Sequence, residues 1–226
     1  MINFKKKKTN TAGSWTRQIL CALLIGCSGL AVAGSVSAKD SAQQFSQRAG
    51  NAMNQALTHA HKGEHQKAID VLQVELAGND LSPAEFGVIY QMMGQYNYEL
   101  DRSDESITSF QNALRSGGLT PQDEGNLKLV VAQLMIGNGN YREGAERLEP
   151  LIAAGQASKP QYVDLLVNAW VQAEDYPRAL PWAETWFEKA APKEKRHYDL
   201  LTFLYNNLGM TEAEQKISKE RADQGL

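Results

Sequence analysis

Residues 86–114 read FGVIYQMMGQYNYELDRSDESITSFQNAL, and the spacing of their apolar side chains decides the fold. In the first half, apolar residues return every three or four places, through Ile89, Tyr90, Met93 and Tyr96. In the second half, Ser106, Phe110 and Ala113 keep the same period. That is the spacing of a helix with one buried stripe, whereas a strand with one buried face alternates every second residue. The polar residues around Asp101 and Arg102 break the pattern between them. The stretch therefore predicts two amphipathic helices joined by a short turn, with the small residue Ser106 near the start of the second.

The same unit recurs along the chain. GEHQKAIDVLQ, RSDESITSFQNAL, GNYREGAERLEPL and EDYPRALPWAETW align on a small residue at one fixed place, namely Ala68, Ser106, Gly144 and Ala179, at steps of 38, 38 and 35 residues. GMTEAEQKI adds a weaker fifth copy, with Glu214 a further 35 residues on. FGVIYQMMGQYNYEL, NLKLVVAQLMIG, YVDLLVNAWVQA and YDLLTFLYNNLG lie between these segments and are amphipathic at helical spacing. No segment alternates like a strand between hairpin turns. The expectation is an all-α chain of about ten helices in antiparallel pairs.

In period and composition the chain resembles the tetratricopeptide repeat family, whose unit is a helix–turn–helix of nominally 34 residues. The second copy carries the resemblance best, through Tyr90, Met93-Gly94, Ser106, Phe110 and Ala113. The fourth keeps Val163, Leu166, Trp170, Tyr176 and Ala179, whereas the third has Ala132 for the glycine and Gly144 for the alanine. The resemblance covers roughly Ala49 to Gly225 and implies a tetratricopeptide-like solenoid of four to five repeats. One helix pair cannot bury its own apolar face, so pairs stack into a continuous core. The small residues are expected where helices cross closely.

EDYPRALPWAETWF, residues 174–187, holds two prolines and four aromatic rings. Pro177 fits a first helical turn, where its missing N–H has no partner to lose. Pro181 and, one repeat earlier, Pro150 are expected to bend their helices. Trp182, Trp186 and Phe187 read as packing at a joint between repeats, with a hydrophobic partner site as the alternative.

The first 38 residues stand apart. Lys5 to Lys8 and Arg17 precede an apolar run from Ile19 to about Gly34, and Val36-Ser37-Ala38 follows, which is the layout of a secretory signal. Leu24-Ile25-Gly26-Cys27 leaves a lipobox open, with Cys27 acylated instead of removed. Residues 39–48 then read as a linker and helix start, and 49–226 as the repeat domain. Both cysteines, Cys21 and Cys27, fall inside the signal. Without it the chain keeps 18 basic residues against 26 acidic ones, a net charge of −8. An acidic domain repels phosphate backbones, so nucleic acid is not an expected partner. Membrane contact is expected only if Cys27 is lipidated, and the expected location is the periplasm.

Motifs for chemistry are sparse. HAHKGEH brings His59, His61 and His65 close in sequence, but His59 and His61 diverge on a helix and His65 lies beyond Gly63. Solvated helix-end histidines are the expectation, against a zinc site, and no metal or other cofactor is implied. Nucleophile-elbow, phosphate-loop and zinc-protease motifs are missing from the sequence. The chain is therefore not expected to be an enzyme. KEKRHYD, residues 193–199, reads as a solvated helix start or as a dock for an acidic segment.

By the family resemblance, the first helix of each pair lines a groove. The resemblance assigns to it Gln91, Gln95 and Tyr98; Asn126 and Gln133; Gln161, Asp164, Asn168 and Gln172; and Arg196, Asp199, Asn206 and Asn207. Gln95, Gln133 and Asn168 fall at equivalent places, and an amide ladder can pair with the backbone of an extended peptide whatever its sequence. The C-terminal third, around DYPRALPWAETWF and HYDLLTFLYNNLGM, resembles exported proteobacterial tetratricopeptide proteins associated with TonB energy-transduction systems. That resemblance implies a periplasmic scaffold for a protein or peptide partner, a TonB-system component among the candidates. A scaffold in outer-membrane or cell-wall assembly remains the alternative.

Overall fold

Ten helices follow one another with a fixed rhythm of turns. The structure, a computed structural model, describes residues 45–78 and 80–226. The helices are α1 (Gln47–His61), α2 (His65–Leu76), α3 (Pro83–Glu99), α4 (Ser103–Arg115), α5 (Pro121–Gly137), α6 (Tyr141–Ala153), α7 (Pro160–Gln172), α8 (Tyr176–Lys189), α9 (Lys195–Asn207) and α10 (Thr211–Asp223). No strand occurs among the described residues. Every odd-to-even connection is three residues long, and every even-to-odd connection is five or six. This is the tetratricopeptide-like all-α fold. The first helix starts at Gln47, two residues ahead of the expected domain start. The leader, the Cys27 lipobox and most of the linker lie outside the described residues.

Each three-residue turn is built the same way. Its second residue has positive φ: Gly63 at 75°, Asp101 at 57°, Gly139 at 90°, Glu174 at 56° and Gly209 at 68°. The next residue then donates its backbone N–H to the carbonyl five places back: Glu64 to His59, Arg102 to Asn97, Asn140 to Met135, Asp175 to Trp170 and Met210 to Tyr205, at 2.8–3.0 Å. A left-handed residue followed by this six-to-one bond is the Schellman ending, which satisfies a helix's last carbonyls and reverses the chain. The first helices α1, α3 and α5 start on side chains instead, with Ser46 Oγ accepting the Ala49 N–H in α1. Ser82 caps α3 with Glu85 closing a capping box, and Thr120 accepts from Asp123 N–H at 3.2 Å.

The chain divides into two compact units, Met1–Leu134 and Met135–Leu226, and α5 runs through the division. In the first unit, Ala49, Met53, Ala56, Ala68, Ile69, Leu72, Ile89, Met93 and Tyr96 form one buried cluster. Helices α3 and α4 cross closely at Gly94. A Cβ placed on Gly94 would stand 2.5 Å from the Phe110 ring, and Ser106 Oγ donates to the Gly94 carbonyl at 2.8 Å. Ser106, Ala68, Gly144 and Ala179 are all buried, as the repeat alignment requires.

In the second unit α6 through α10 pack in sequence, each on its neighbour. Trp170, Tyr198, Leu148, Leu166, Leu204 and Val167 are its fully buried large side chains. The aromatic run of α8 packs as a joint. Phe187 meets Tyr198 edge to face at 5.0 Å, Trp186 lies 4.3 Å from the His197 ring, and Trp182 Nε1 donates to Glu149 at 2.7 Å. Pro177 does sit in the first turn of α8. Helix α8 continues through Pro181 to Lys189, and α6 through Pro150 to Ala153. Pro181 has no N–H for the Pro177 carbonyl to accept, and Pro177 and Pro181 are both exposed.

Candidate functional site

The groove residues expected from the repeat resemblance differ sharply in what they offer a ligand. In the first unit, Gln91 and Tyr98 are half-buried and Asn126 is exposed. Gln95, by contrast, is only 6% exposed, and its amide donates to Glu99 at 2.8 Å. Gln133 is half-buried, with its Oε1 shielded and lacking a hydrogen-bond partner. The ladder read from Gln95, Gln133 and Asn168 is thus a sequence equivalence with unequal exposure. Only Asn168 of the three is open to solvent.

The second unit presents the better surface. Gln161, Asn168 and Gln172 on α7 are exposed, as are Arg196, Asn206 and Asn207 on α9, while Asp164 and Asp199 are half-buried. Gln161 and Arg196, Asp164 and Asp199, and Gln172 and Asn207 are each 35 residues apart, the local repeat step, so they occupy matching places. The amides are partly used within their own helices. Asn168 Nδ2 donates to the Asp164 carbonyl at 2.8 Å and to Asp164 Oδ1 at 3.0 Å, and Asn207 Nδ2 donates to the Phe203 carbonyl at 2.7 Å. Both donations use the Nδ2 group and leave Oδ1 as an acceptor on an exposed residue. An incoming backbone N–H is the complementary group. Phe203, 35 residues after Asn168, stands edge-on to Tyr176 at 5.5 Å and puts an aromatic ring where α7 has an amide. The residue reading missed it, although the repeat step points straight to it.

Charge is mostly neutralised locally. Asp199 takes Arg221 Nη1 at 2.8 Å and also pairs with Lys195. Arg196 pairs with Glu194 at 3.0 Å and lies over Trp186, and Lys193 reaches Glu220 at 3.4 Å. His197 is 4% exposed, and its Nδ1 accepts the Glu194 N–H at 2.8 Å. KEKRHYD is therefore not a free basic patch, because its cations are spent on neighbouring carboxylates and an indole. The Arg142 guanidinium beside Asp175 holds that carboxyl below its ordinary range.

Histidines fall differently from the solvated ends expected. His59 Nδ1 bonds Glu64 at 2.7 Å, His65 is half-buried 6.0 Å from the Tyr96 ring, and His61 alone of the three is exposed. Lys67 first, then His59, draws the Glu64 carboxyl down to about 2. Among the described residues no group of three His, Cys, Asp or Glu could hold a metal ion, and no helix is long and apolar enough to cross a membrane.

No family model and no curated protein matches the chain. Solved structures do resemble it. A double mutant of MamA from strain RS-1 has a TM-score of 0.52 at 16% identity, covering 80% of this chain and 96% of that one. A MamA point mutant gives 0.54 at 15% identity, over 80% and 95%. The TPR-like repeats of a kinesin light chain from Podosopora anserina give 0.48 at 14%, over 80% and 99%. At 15–16% identity the likeness to the two MamA structures is one of fold.

Proposed function

We propose that the chain is a non-enzymatic scaffold that binds an extended segment of a protein partner along the first helices of its repeat pairs. Exposed amides on α7 and α9 carry this reading, because Gln172 and Asn207 lie one repeat step apart and the Nδ2 bonds of Asn168 and Asn207 leave their oxygens as acceptors. Acceptors pair with the N–H groups of any extended backbone, and flanking side chains supply selectivity. The basic, then apolar, leader supports a periplasmic location for the scaffold. The likeness of DYPRALPWAETWF and HYDLLTFLYNNLGM to exported TonB-associated proteins supports a TonB-system component as the partner. Affinity capture from envelope extracts, read by mass spectrometry, tests this. The wild type is expected to recover a TonB component, and the pair Asn168→Ala with Asn207→Ala to lose it while helicity stays constant. Equal recovery by both proteins removes the amide face from the mechanism.

Leu24-Ile25-Gly26-Cys27 favours a second reading, a lipid-anchored scaffold of outer-membrane or cell-wall assembly. Intact-mass measurement separates the two. A mature start at Lys39 fits the soluble form, and a diacylglyceryl-Cys27 fits the anchored one. Capture of cell-wall synthases without any TonB component favours the assembly scaffold.

A further inference from the structure

A second surface of the C-terminal unit, away from the amide face, has features of a side-chain pocket. Helices α8, α9 and α10 enclose a cleft of about 300 Å³. Its floor is apolar, made by Phe187, Leu201, Tyr205 and Ile217, each less than a tenth exposed. Its α8 wall carries Glu184 and Glu188, one turn apart on the same side of the helix. Neither pairs with a lysine or arginine among the described residues. Glu184 accepts from the Tyr205 phenol at 2.9 Å through one oxygen, and burial together with that carboxylate pushes the phenol up to about 12. Two like charges at this spacing repel, and a cation between them relieves the repulsion.

The chain's own Lys193 shows what the cleft accepts. Its ammonium lies 4.3 Å from the centre of the Phe187 ring and reaches Glu220 at 3.4 Å. Glu220 Oε1 also accepts from the Tyr198 phenol at 3.2 Å. A cation over an aromatic floor, held by a carboxylate, is thus already the resident arrangement. The hold is weak, because the ammonium contact is long and Lys193 is partly exposed. A guanidinium improves on it. It lies flat on the ring, binds carboxylates through two parallel N–H groups and sheds water more readily than an ammonium. With Lys193 displaced, the lining keeps Glu184, Glu188 and Glu220 against Lys216 alone.

We propose that this cleft is a docking site for an arginine side chain of a protein partner. The guanidinium stacks on Phe187 between the α8 carboxylates and Glu220, and the partner's arginine takes the place of Lys193. The excess of acid over base in the chain adds a long-range attraction for such a basic segment.

The test is an NMR titration of the ¹⁵N-labelled protein with N-acetyl-leucyl-arginine amide and with its neutral citrulline twin. The arginine probe is expected to shift amides of α8, residues 190–194, α9 and α10, and to bind at least fivefold more tightly than the twin. Glu188→Gln, on an exposed side chain, is expected to weaken the arginine probe about threefold. Lys193→Ala removes the resident competitor and is expected to tighten it severalfold. Equal binding of the two probes, shifts centred on α7, or weaker binding by Lys193→Ala would each overturn the assignment. Asn168→Ala is expected to leave the titration unchanged, so failure of the amide face and failure of this cleft are read separately.

Discussion

At Gly94 the packing of α3 on α4 leaves no room for a side chain, since a Cβ would lie 2.5 Å from the Phe110 ring. Phe110 is itself 1% exposed and cannot swing into solvent. Gly94→Ala is therefore expected to cost about 1–3 kcal/mol, the range for overpacking a filled core. Ser106→Leu should cost at least as much, because it also breaks the bond from Ser106 Oγ to the Gly94 carbonyl. Denaturant melts of both variants check this, and an unchanged midpoint for either would show that the repeat alignment is misplaced. Residue-scale strain is concentrated in the turns. Asp101 and Glu174 adopt the left-handed conformation that Gly63, Gly139 and Gly209 fill in the other pairs. A residue with a Cβ pays for that conformation by about 1–2 kcal/mol, less for aspartate, whose short side chain bonds locally. Glu174→Gly is expected to raise the unfolding midpoint, and Asp101→Gly to raise it less. A fall for Glu174→Gly would mean that its side chain holds the turn.

Two first helices depend on a single carboxylate, and this is an element-scale dependence. Glu85 is 3% exposed and accepts the Ser82 N–H, which closes the α3 capping box, and the Ser46 N–H, which secures the start of α1, each at 2.7 Å. Burial alone would push this carboxyl up, but the bonds from Ser46 and Ser82 outweigh it and hold it at about 2, against an ordinary 4.5. A carboxyl depressed on folding contributes stability that is complete above its unfolded value and is lost as pH falls through the folded one. The first unit is thus expected to lose stability between pH 4.5 and about 2. Glu85→Gln should flatten that slope, as acid melts followed by circular dichroism would show, and an unchanged slope would place the acid sensitivity elsewhere. The sequence reading passed over Ser82-Pro83-Ala84-Glu85, although it is a local start signal with its glutamate three residues on. The tie to Ser46 spans 39 residues and is set by packing, so no local pattern announces it. Helix identity was legible because period is local. Exposure was not: Gln95 and Asn168 occupy equivalent places, yet one is buried on Glu99 and the other open. Likewise KEKRHYD read as a basic patch because its carboxylate partners, Glu220 among them, lie up to 27 residues away.

For the whole molecule, the relevant property is that within each unit helices draw stability from the neighbours they pack on. Polar ties repeat this neighbour-to-neighbour logic. Arg102 Nη1 donates to Gln66 across 36 residues in the first unit, and Arg142 Nη1 to Asp175 across 33 in the second. In both, the residue opening one second-helix segment meets a residue two places further along in the preceding copy, so the spacing is the repeat step less two. A stack built this way has stability close to a sum of pair terms and nearest-neighbour terms. Damage should then stay local. Trp170 is fully buried in the second unit, and its truncation to alanine is expected to cost about 3–5 kcal/mol. Hydrogen exchange of Trp170→Ala is expected to show faster amides through α7, α8 and α9, and wild-type protection in α1, α2 and α3, because those helices bury Leu72 and Ile89 in a cluster that Trp170 does not enter. A uniform loss of protection across all ten helices would mean that the two units melt as one body, and would remove the neighbour-sum account of this chain.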